Sequence, residues 1–174
     1  EQVFSNTINK LDINRILLKL NNQPIKELVL NDILITHSIP AATSRYIIRL
    51  KGAEESHRSS GIWISTAAGS TAAIRSAGGI PLPIDSDQFQ YLVREFYDRG
   101  SKKYFLLGGI CDFIDNFEII SQMRLGRFYI DGPFFEYPFT VGDILTFQKS
   151  EFPLTILGFD NSKREAFLKT HTQK

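Results

Sequence analysis

Short apolar runs of strand length, separated by turn residues, fill most of this 174-residue chain and constrain its fold more than any other feature. Val, Ile, Phe and Tyr dominate the runs, and these residue types pack well on a pleated, half-buried surface. Because few runs are followed by a helical pattern, we predict a β-sandwich and not alternating βαβ units. The predicted strands are Arg15–Leu20, Leu28–His37, Tyr46–Lys51, Gly61–Ser65, Tyr104–Leu107, Phe117–Gln122, Arg127–Ile130, Asp143–Gln148 and Leu154–Phe159.

Helical patterns are confined to two short segments, so the predicted fold is mainly β with one or two short helices. Ser70–Ala77 is rich in alanine and begins with hydroxyl residues that cap helices, and Lys163–Thr170 is a short amphipathic segment. Asp131–Gly132 indicates a hairpin, in which the following Pro133 requires a longer or bulged turn. The polar stretch Glu1–Asn14 is predicted to be a short helix or a linker.

Charge and composition exclude several classes of partner. The net charge is only +1 and the basic residues are scattered, so we expect no nucleic-acid partner. No apolar run approaches the ~20 residues of a membrane span, so we expect no membrane partner. The single cysteine, Cys111, favours a reducing compartment and thus the cytoplasm. The three histidines lack metal-ligand spacing, which predicts no metal site in this chain.

The segment Gly61–Gly79 carries the most chemical information in the sequence. It starts as an apolar strand, turns through the small and hydroxyl residues Ser65–Thr71, and continues as an alanine-rich helix. A helix start that follows a glycine turn offers N–H groups to ligand oxygens. We expect Ser65, Thr66, Ser70 and Thr71 to donate hydrogen bonds, while the alanines leave room for a flat ring. On physical grounds alone, a capped helix packed on a sheet without a ligand is an equally good interpretation.

This segment resembles a motif of the NAD kinase family. The letters STAAGSTAAIRSAGG are similar to the family's Ser-Thr-Pro-x-Gly-Ser/Thr-Thr-Ala-Tyr turn and its following Gly-Gly pair. Leu30–Ile33 resembles the family's Asn-Glu/Asp motif, while Asp131–Gly132 and Gly142–Ile144 resemble its closing strands. The variant is closest to plant-type, NADH-preferring kinases, and it lacks the usual aromatic residue at Ala73.

The resemblance implies a set of substrate contacts. Asn31 and Asp32 would bind the adenosine ribose and the adenine edge, and Ser60 would stand on the nicotinamide side. Arg94 is a candidate contact for the diphosphate. The residues that the resemblance assigns to substrate binding are Asn31, Asp32, Ser60, Thr66, Ala68, Thr71, Ala72 and Ala73.

The family's catalytic aspartate lies in a Gly-Gly-Asp-Gly motif of an N-terminal α/β domain, and this chain contains no such motif. We therefore expect no catalytic residue here, with ATP and Mg²⁺ bound through a missing domain. Residues 1–14 would be the linker or crossover from that domain, 15–159 the β-rich NAD(H)-binding domain, and 160–174 a C-terminal helical tail. The implied function is one half of an ATP-dependent NAD/NADH kinase, inactive alone and assembled as a homodimer or tetramer.

Two other classes remain open from the sequence. Diacylglycerol and sphingosine kinases pair a similar N-terminal domain with a β-rich C-terminal one, although the nucleotide-like turn argues against a lipid substrate. A non-catalytic regulatory or interaction β-domain would keep the shape of the site and lose the chemistry. Binding of NADH would separate the lipid kinases from an NAD kinase, whereas the sequence encoded upstream of Glu1 would separate the regulatory domain from it.

Overall fold

The computed structural model describes residues 8–98, 100 and 103–171. Within them, the strands are β1 (Lys10–Ile13), β2 (Ile16–Leu20), β3 (Gln23–Val29), β4 (Asp32–His37), β5 (Ser44–Leu50), β6 (Ala53–Ser59), β7 (Gly61–Ser65), β8 (Gln88–Arg94), β9 (Gly108–Asp112), β10 (Glu118–Ser121), β11 (Gly126–Ile130), β12 (Phe135–Pro138), β13 (Ile144–Lys149) and β14 (Leu154–Leu157). A 3-10 helix covers Ala68–Thr71, and two α-helices follow: α1 (Ala73–Ser76) and α2 (Ser162–His171).

The strands form two antiparallel six-stranded sheets and one small two-stranded sheet. The first sheet has the order β3-β2-β13-β10-β5-β6, and the second has the order β12-β11-β4-β7-β8-β9. The small sheet pairs β1 with β14. β4 and β7 lie side by side and antiparallel at the centre of the second sheet. Residues just before β4 and just after β7 therefore meet at the same end of these strands.

One hydrophobic core joins the inner faces of the two large sheets. Ile33, Ile35, Ile62 and Ile64 alternate with outward residues along β4 and β7, as the two-residue period of a strand requires. Phe147 of the first sheet packs on Phe89 of the second. The predicted mainly-β fold with short helices is thereby confirmed.

The aromatic residues at the middle of this core connect both sheets. The ring centroids of Phe89 and Phe147 lie 6.1 Å apart. Phe117 contacts both of these rings and also Tyr91, at centroid distances of 5.7, 5.3 and 4.8 Å respectively. Aromatic pairs at such distances add stabilisation beyond the area that they bury. The sandwich is therefore held by contacts between its sheets as well as by pairing within them.

Two predicted strands are wrong. The run Leu28–His37 is the end of β3, a crossing turn at Leu30–Asn31, and then β4 in the other sheet. The chain leaves the ladder there because it must pass from one sheet to the other. Tyr104–Leu107 is not a strand, since the carboxylate of Glu55 accepts the N–H groups of Phe105 and Leu106 in place of a neighbouring strand.

Several strands carry no clear apolar signal in the sequence. No predicted strand covers β6, β8, β9 or β12, and of β3 only Leu28 and Val29 lie in one. All seven residues of β6 are small, polar or charged, so its pairing with β5 comes from tertiary structure. β9 contains two adjacent glycines, which weaken an isolated strand. Propensity alone does not identify strands of this kind.

The prediction for the N-terminal end of the chain is wrong, and that for the C-terminal helix is confirmed. Lys10–Ile13 is the strand β1, whereas we expected a helix or a linker over Glu1–Asn14; the first seven residues lie outside the described part. The helix predicted at Lys163–Thr170 is present as α2. The hairpin is also confirmed, because Ile130 pairs with Phe135 across a four-residue loop that contains Pro133.

Truncating Phe128 tests the importance of the core. Its ring is fully buried and packs against Tyr137 and Phe139. We expect Phe128→Ala to lower the free energy of unfolding by about 3–5 kcal/mol, because it removes buried apolar surface and leaves a cavity. The matched control Phe105→Ala removes a ring that is 80% exposed and should change stability by less than about 0.5 kcal/mol. Equal losses in urea denaturation would contradict this account of the core.

Candidate functional site

The crossing turn at Leu30–Asn31 is held by one carboxylate. Asp131, in the loop between β11 and β12, accepts the N–H of Leu30 at 2.9 Å, of Asn31 at 2.7 Å and of Asp32 at 3.1 Å. Its own N–H donates to the carbonyl of Asp32 at 2.9 Å. Hydrogen bonds from N–H groups to an ionised acceptor are stronger than those between neutral groups. The chain therefore changes sheets at a fixed place and in a fixed conformation.

The bend, Ser65–Thr71, docks on this crossing turn. The carbonyl of Asn31 accepts the N–H of Thr66 at 2.9 Å and the hydroxyl of Ser65 at 3.2 Å. The hydroxyl of Thr66 donates to the carbonyl of Leu30 and accepts the N–H of Gly69 at 3.1 Å. The hydroxyl of Ser70 donates to the carbonyl of Ala67 within the bend. Ser65, Thr66 and Ser70 thus use their hydroxyls inside the protein, whereas we expected them to face a ligand.

Gly69 lets the bend approach the crossing turn closely. A Cβ atom at this position would lie 2.1 Å from the carbonyl oxygen of Asn31, which no side chain tolerates. Gly79 has a similar role at the other end of the segment, where a Cβ would lie 2.7 Å from Oε1 of Gln90. Gln90 in turn binds both the N–H and the carbonyl of Ile80. Glycine is required at both places by space and not by a positive φ.

The helix predicted at Ser70–Ala77 is wrong in length. The segment forms the 3-10 helix and then α1, each only four residues long, and neither has a side-chain cap. The N–H groups of Ala72 and Arg75 are taken by carbonyls within the segment. A single turn has little dipole to attract an anion, so the expected ligand site at a helix start has no support here. Thr71, Ala72 and Ala73 nevertheless lie exposed on the bend and α1.

A cavity of about 320 Å³ opens on the outer face of the second sheet, beside the crossing turn. Asp32 and Leu34 of β4, Trp63 of β7 and Tyr129 of β11 line it, because these positions alternate with the core residues of their strands. Gly132 and Pro133 of the hairpin loop complete the lining. The cavity combines two aromatic rings with one carboxylate, which suits a ligand that carries both rings and hydroxyl groups.

Asp32 is the ionisable group of this cavity. Its side chain is only 9% exposed and accepts no hydrogen bond from the residues that the structure describes. Burial, and secondly the charge of Asp131, raise its pKa from 3.8 to about 6. Between these two pKa values the folded state binds more protons than the unfolded state, so Asp32 makes stability fall as the pH rises from about 4 to 6. At pH 7 the carboxylate is mostly ionised and free to accept hydrogen bonds.

The structure brings most of the predicted site residues to one end of β7. They lie on the crossing turn, at the start of β4, or between the start of the bend and α1: Asn31, Asp32, Thr66, Ala68, Thr71, Ala72 and Ala73. Ser60 and Arg94 lie together at the opposite end, where the N–H of Ser60 donates to the carbonyl of Arg94 at 3.1 Å. The two ends are separated by the five residues of β7, or about 16 Å. The guanidinium of Arg94 lies 5.6 Å from the ring of Trp63, and so reaches back toward the cavity.

Four residues of the site were not predicted from the sequence. Trp63 and Tyr129 line the cavity, and alternation along their strands identifies both as outward-facing once β4 and β7 are placed in one sheet. Asp131 was noted in a hairpin signal and in the resemblance to the family's closing strands, but not as a site residue, and its hold on the crossing turn connects residues 100 positions apart. Arg164 of α2 contacts the bend, with no local signal for this contact.

Neither a metal cluster nor a membrane helix is found in the part of the chain that the structure describes. Among those residues, no three His, Cys, Asp or Glu side chains are grouped so that they could hold a metal ion. In the same residues, no helix has the length and apolar character needed to cross a membrane.

Comparison with known proteins places the chain among NAD kinases. It is 35% identical over 155 residues to a probable NADH kinase of Oryza sativa subsp. japonica, covering 83% of this chain and 48% of that protein. An NADH kinase of Arabidopsis thaliana is 38% identical over 89 residues, which are 51% of this chain and 27% of that protein. No family model matches the chain. The chain thus spans about half the length of the rice relative, and it matches a smaller share of the Arabidopsis one.

Solved structures agree with these relatives. The crystal structure of an NAD kinase from Archaeoglobus fulgidus in complex with ATP superimposes with a TM-score of 0.73 and 25% identity, over 93% of this chain and 59% of that one. Yeast NADH kinase complexed with NADH has the same fold, with a TM-score of 0.80 and 16% identity over 97% of this chain and 50% of that one. The protein therefore has the fold of a nucleotide-cofactor kinase. It belongs to the NAD kinase family.

Replacing Asp131 tests the electrostatics of the site. We expect Asp131→Asn to lower the pKa of Asp32 from about 6 toward 3.8, since the neighbouring charge is lost. The pKa should stay above 3.8, because burial is the larger cause of the shift. An NMR titration of the Asp32 carboxyl carbon measures it. The matched control Asp143→Asn removes a carboxylate that binds Thr140 and should leave Asp32 unchanged. An Asp32 pKa that stays at about 6 in Asp131→Asn would contradict this description.

Proposed function

We propose that this chain is the NAD(H)-binding half of an ATP-dependent NAD/NADH kinase, which phosphorylates the 2′-hydroxyl of the adenosine ribose to make NADP(H). The observation that carries the proposal is the cavity of about 320 Å³ at Asp32, which opens beside a bend made of small residues. Membership of the NAD kinase family supports it, as does the fold shared with a kinase solved with ATP and another solved with NADH.

The adenosine would bind at the crossing turn and the bend. Asn31 is exposed, and its side-chain amide has no partner among the described residues, so it can both donate to and accept from an adenine edge. Asp32 has free carboxylate oxygens for ribose hydroxyls. Thr71, Ala72 and Ala73 are exposed and small, which leaves space for a flat ring against the backbone. Ala68 is half-buried beside them, and Thr66 acts by holding the bend in shape.

The rest of the dinucleotide would extend along the outer face of the second sheet. Trp63 offers an apolar ring in the cavity between the two ends of β7. Arg94 supplies a cation near that ring for the diphosphate. Ser60, about 16 Å from the bend, is then the contact on the nicotinamide side. An extended ligand with two rings and a central anionic group matches this order of side chains.

Phosphoryl transfer needs parts that this chain does not contain. Its 174 residues include no Gly-Gly-Asp-Gly motif, which is the source of the general base that the family resemblance implies. The pair Asp32 and Asp131 does not fit Mg²⁺ either, because both oxygens of Asp131 are occupied by backbone N–H groups. We infer that ATP, Mg²⁺ and the catalytic base belong to an N-terminal α/β domain, and that the enzyme acts in the cytoplasm.

Self-association through this β-rich domain completes the proposal. Phe134 and Phe135, in and beside the hairpin loop next to the cavity, are 86% and 46% exposed. Adjacent exposed rings favour contact with another protein surface. A homodimer or tetramer formed there would bring a second copy close to the ligand, and symmetric assemblies are the common form of such contacts.

Truncation of Asn31 tests the adenosine site. We expect Asn31→Ala to raise the Kd for NADH about 3–10-fold, because a hydrogen bond contributes roughly 1 kcal/mol and tenfold in Kd corresponds to about 1.4 kcal/mol. Calorimetric titration measures the Kd, and thermal unfolding checks the fold. The control Asn9→Ala removes an exposed amide that lines a different cavity and should leave the Kd unchanged. An unaltered Kd in Asn31→Ala would remove Asn31 from the site.

A turnover assay tests whether this chain alone can transfer the phosphoryl group. With ATP, Mg²⁺ and NADH, we expect residues 1–174 alone to form no NADPH, since positioning of the phosphoryl donor and the base is missing. Steady formation of NADPH by the purified chain would contradict the proposal. A chain that binds no NADH at any concentration tested would instead favour a regulatory β-domain.

A further inference from the structure

Arg164, in the first turn of α2, contacts the bend from a distant part of the sequence. Its Nη2 atom donates to the carbonyls of Ala67 and Leu82, the latter at 2.9 Å, and lies 3.1 Å from the hydroxyl oxygen of Ser70. Its Nε atom lies 3.3 Å from the Leu82 carbonyl. Longer contacts of 3.5 Å join its Nη1 atom to the carbonyl of Ala68 and the hydroxyl of Thr71. One guanidinium therefore touches both ends of the segment from Ala67 to Leu82.

The contacts of Arg164 are unusual for an arginine, because all the acceptors are backbone carbonyls or hydroxyls. The side chain is half-buried, and no carboxylate lies within ion-pair distance among the described residues. Burial accordingly lowers the pKa of Arg164 from its usual value. A charge placed in partial burial without a counter-ion is costly, and here only backbone and hydroxyl oxygens compensate it. Such a residue contributes through the geometry of its several donors more than through pairing of charges.

The oxygens that Arg164 contacts belong to groups that already hold the bend. The hydroxyl of Ser70 donates to the Ala67 carbonyl at 2.7 Å and accepts the N–H of Leu82 at 2.8 Å. Arg164 adds a second connection between the same three residues. The planar guanidinium has donors in a fixed fork and binds two backbone segments, at Ala67 and at Leu82, at once. A lysine ammonium lacks this fork and cannot reproduce the arrangement. Ala68 and Thr71, both proposed substrate contacts, lie directly on this arrangement.

We propose that Arg164 is a positioning residue, which ties the bend to the backbone at Leu82 and so holds the bend in the conformation that binds the adenosine. This inference rests on the proposed function, because it assumes that the bend contacts the substrate. It makes the C-terminal helix part of the substrate site through the contacts of Arg164 with the bend. Pre-organising a binding loop in this way raises affinity by reducing the entropy lost on binding.

Three variants of the chain test the role of Arg164. We expect Arg164→Met to raise the Kd for NADH about tenfold and Arg164→Lys to raise it by a smaller factor. Lys169→Met removes the same charge from an exposed position of the same helix and should leave the Kd unchanged. All titrations are made at a temperature at which thermal unfolding shows each variant to be folded. A purely structural role would lower Tm in Arg164→Met without changing the Kd of the folded protein.

Hydrogen exchange supplies a readout that does not depend on NADH. In Arg164→Met the amide of Leu82 should exchange faster than in the unmodified chain, while amides at the centre of β4 and β7 should not change. Wild-type Kd in Arg164→Met, or unchanged exchange at Leu82, overturns the role of Arg164 alone. Failure of the unmodified chain to bind NADH overturns the proposed function and removes the ligand from this inference as well. The two failures are therefore distinguishable.

Discussion

The contact between the bend and the crossing turn at Leu30–Asn31 supports every other feature of the site. At this point the chain passes between sheets and exposes peptide groups that no strand pairs. Asp131 accepts the N–H groups on one side, while Ser65 and Thr66 donate to the carbonyls on the other. Buried peptide groups that lack partners are costly, so this exchange fixes the positions of β4, β7 and the hairpin loop relative to one another. Gly69 is required because the two backbones touch.

The same arrangement creates the cavity and its electrostatics. Since β4 starts at Asp32 directly after the crossing turn, the Asp32 carboxylate is carried beside Asp131 and under the hairpin loop. Its raised pKa is a consequence of being held there. Groups with perturbed pKa values in a cavity are more often functional than those on open surfaces. The small residues of the bend then determine how closely a ring can approach the backbone, and Arg164 holds that backbone from the C-terminal helix.

The sequence predicts the architecture well because strand periodicity is a local property. Gly61–Ser65 alternates as a central strand does, and its boundaries agree with the structure. The motif after it also identifies the right place in the fold, since the bend, Asn31 and Asp32 meet there. What the sequence does not predict depends on contacts between distant residues. The polar strand β6 is formed only because β5 pairs with it, and Leu28–His37 is divided because Asp131 holds the crossing turn.

The roles of the hydroxyl residues could not be predicted for a related reason. A Ser or Thr in a turn serves a ligand or the turn itself, and the sequence does not distinguish the two. In this protein Ser65, Thr66 and Ser70 hold the bend, and Thr71 alone of the four is exposed. The helix in this segment is shorter than its alanine content indicates, because Gly69 and the contacts of Ser70 favour a tight turn over a continuous helix.

The most direct test of the account uses Trp63, the only tryptophan of the chain and a residue of the cavity wall. NADH is titrated into the protein while Trp63 fluorescence and energy transfer to the dihydronicotinamide are recorded. If the dinucleotide binds in this cavity, Trp63 is quenched saturably with transfer to the bound cofactor, and NAD competes for the site. Calorimetric binding of NADH that leaves Trp63 fluorescence unchanged would show that the dinucleotide binds away from this cavity, and would contradict the central claim.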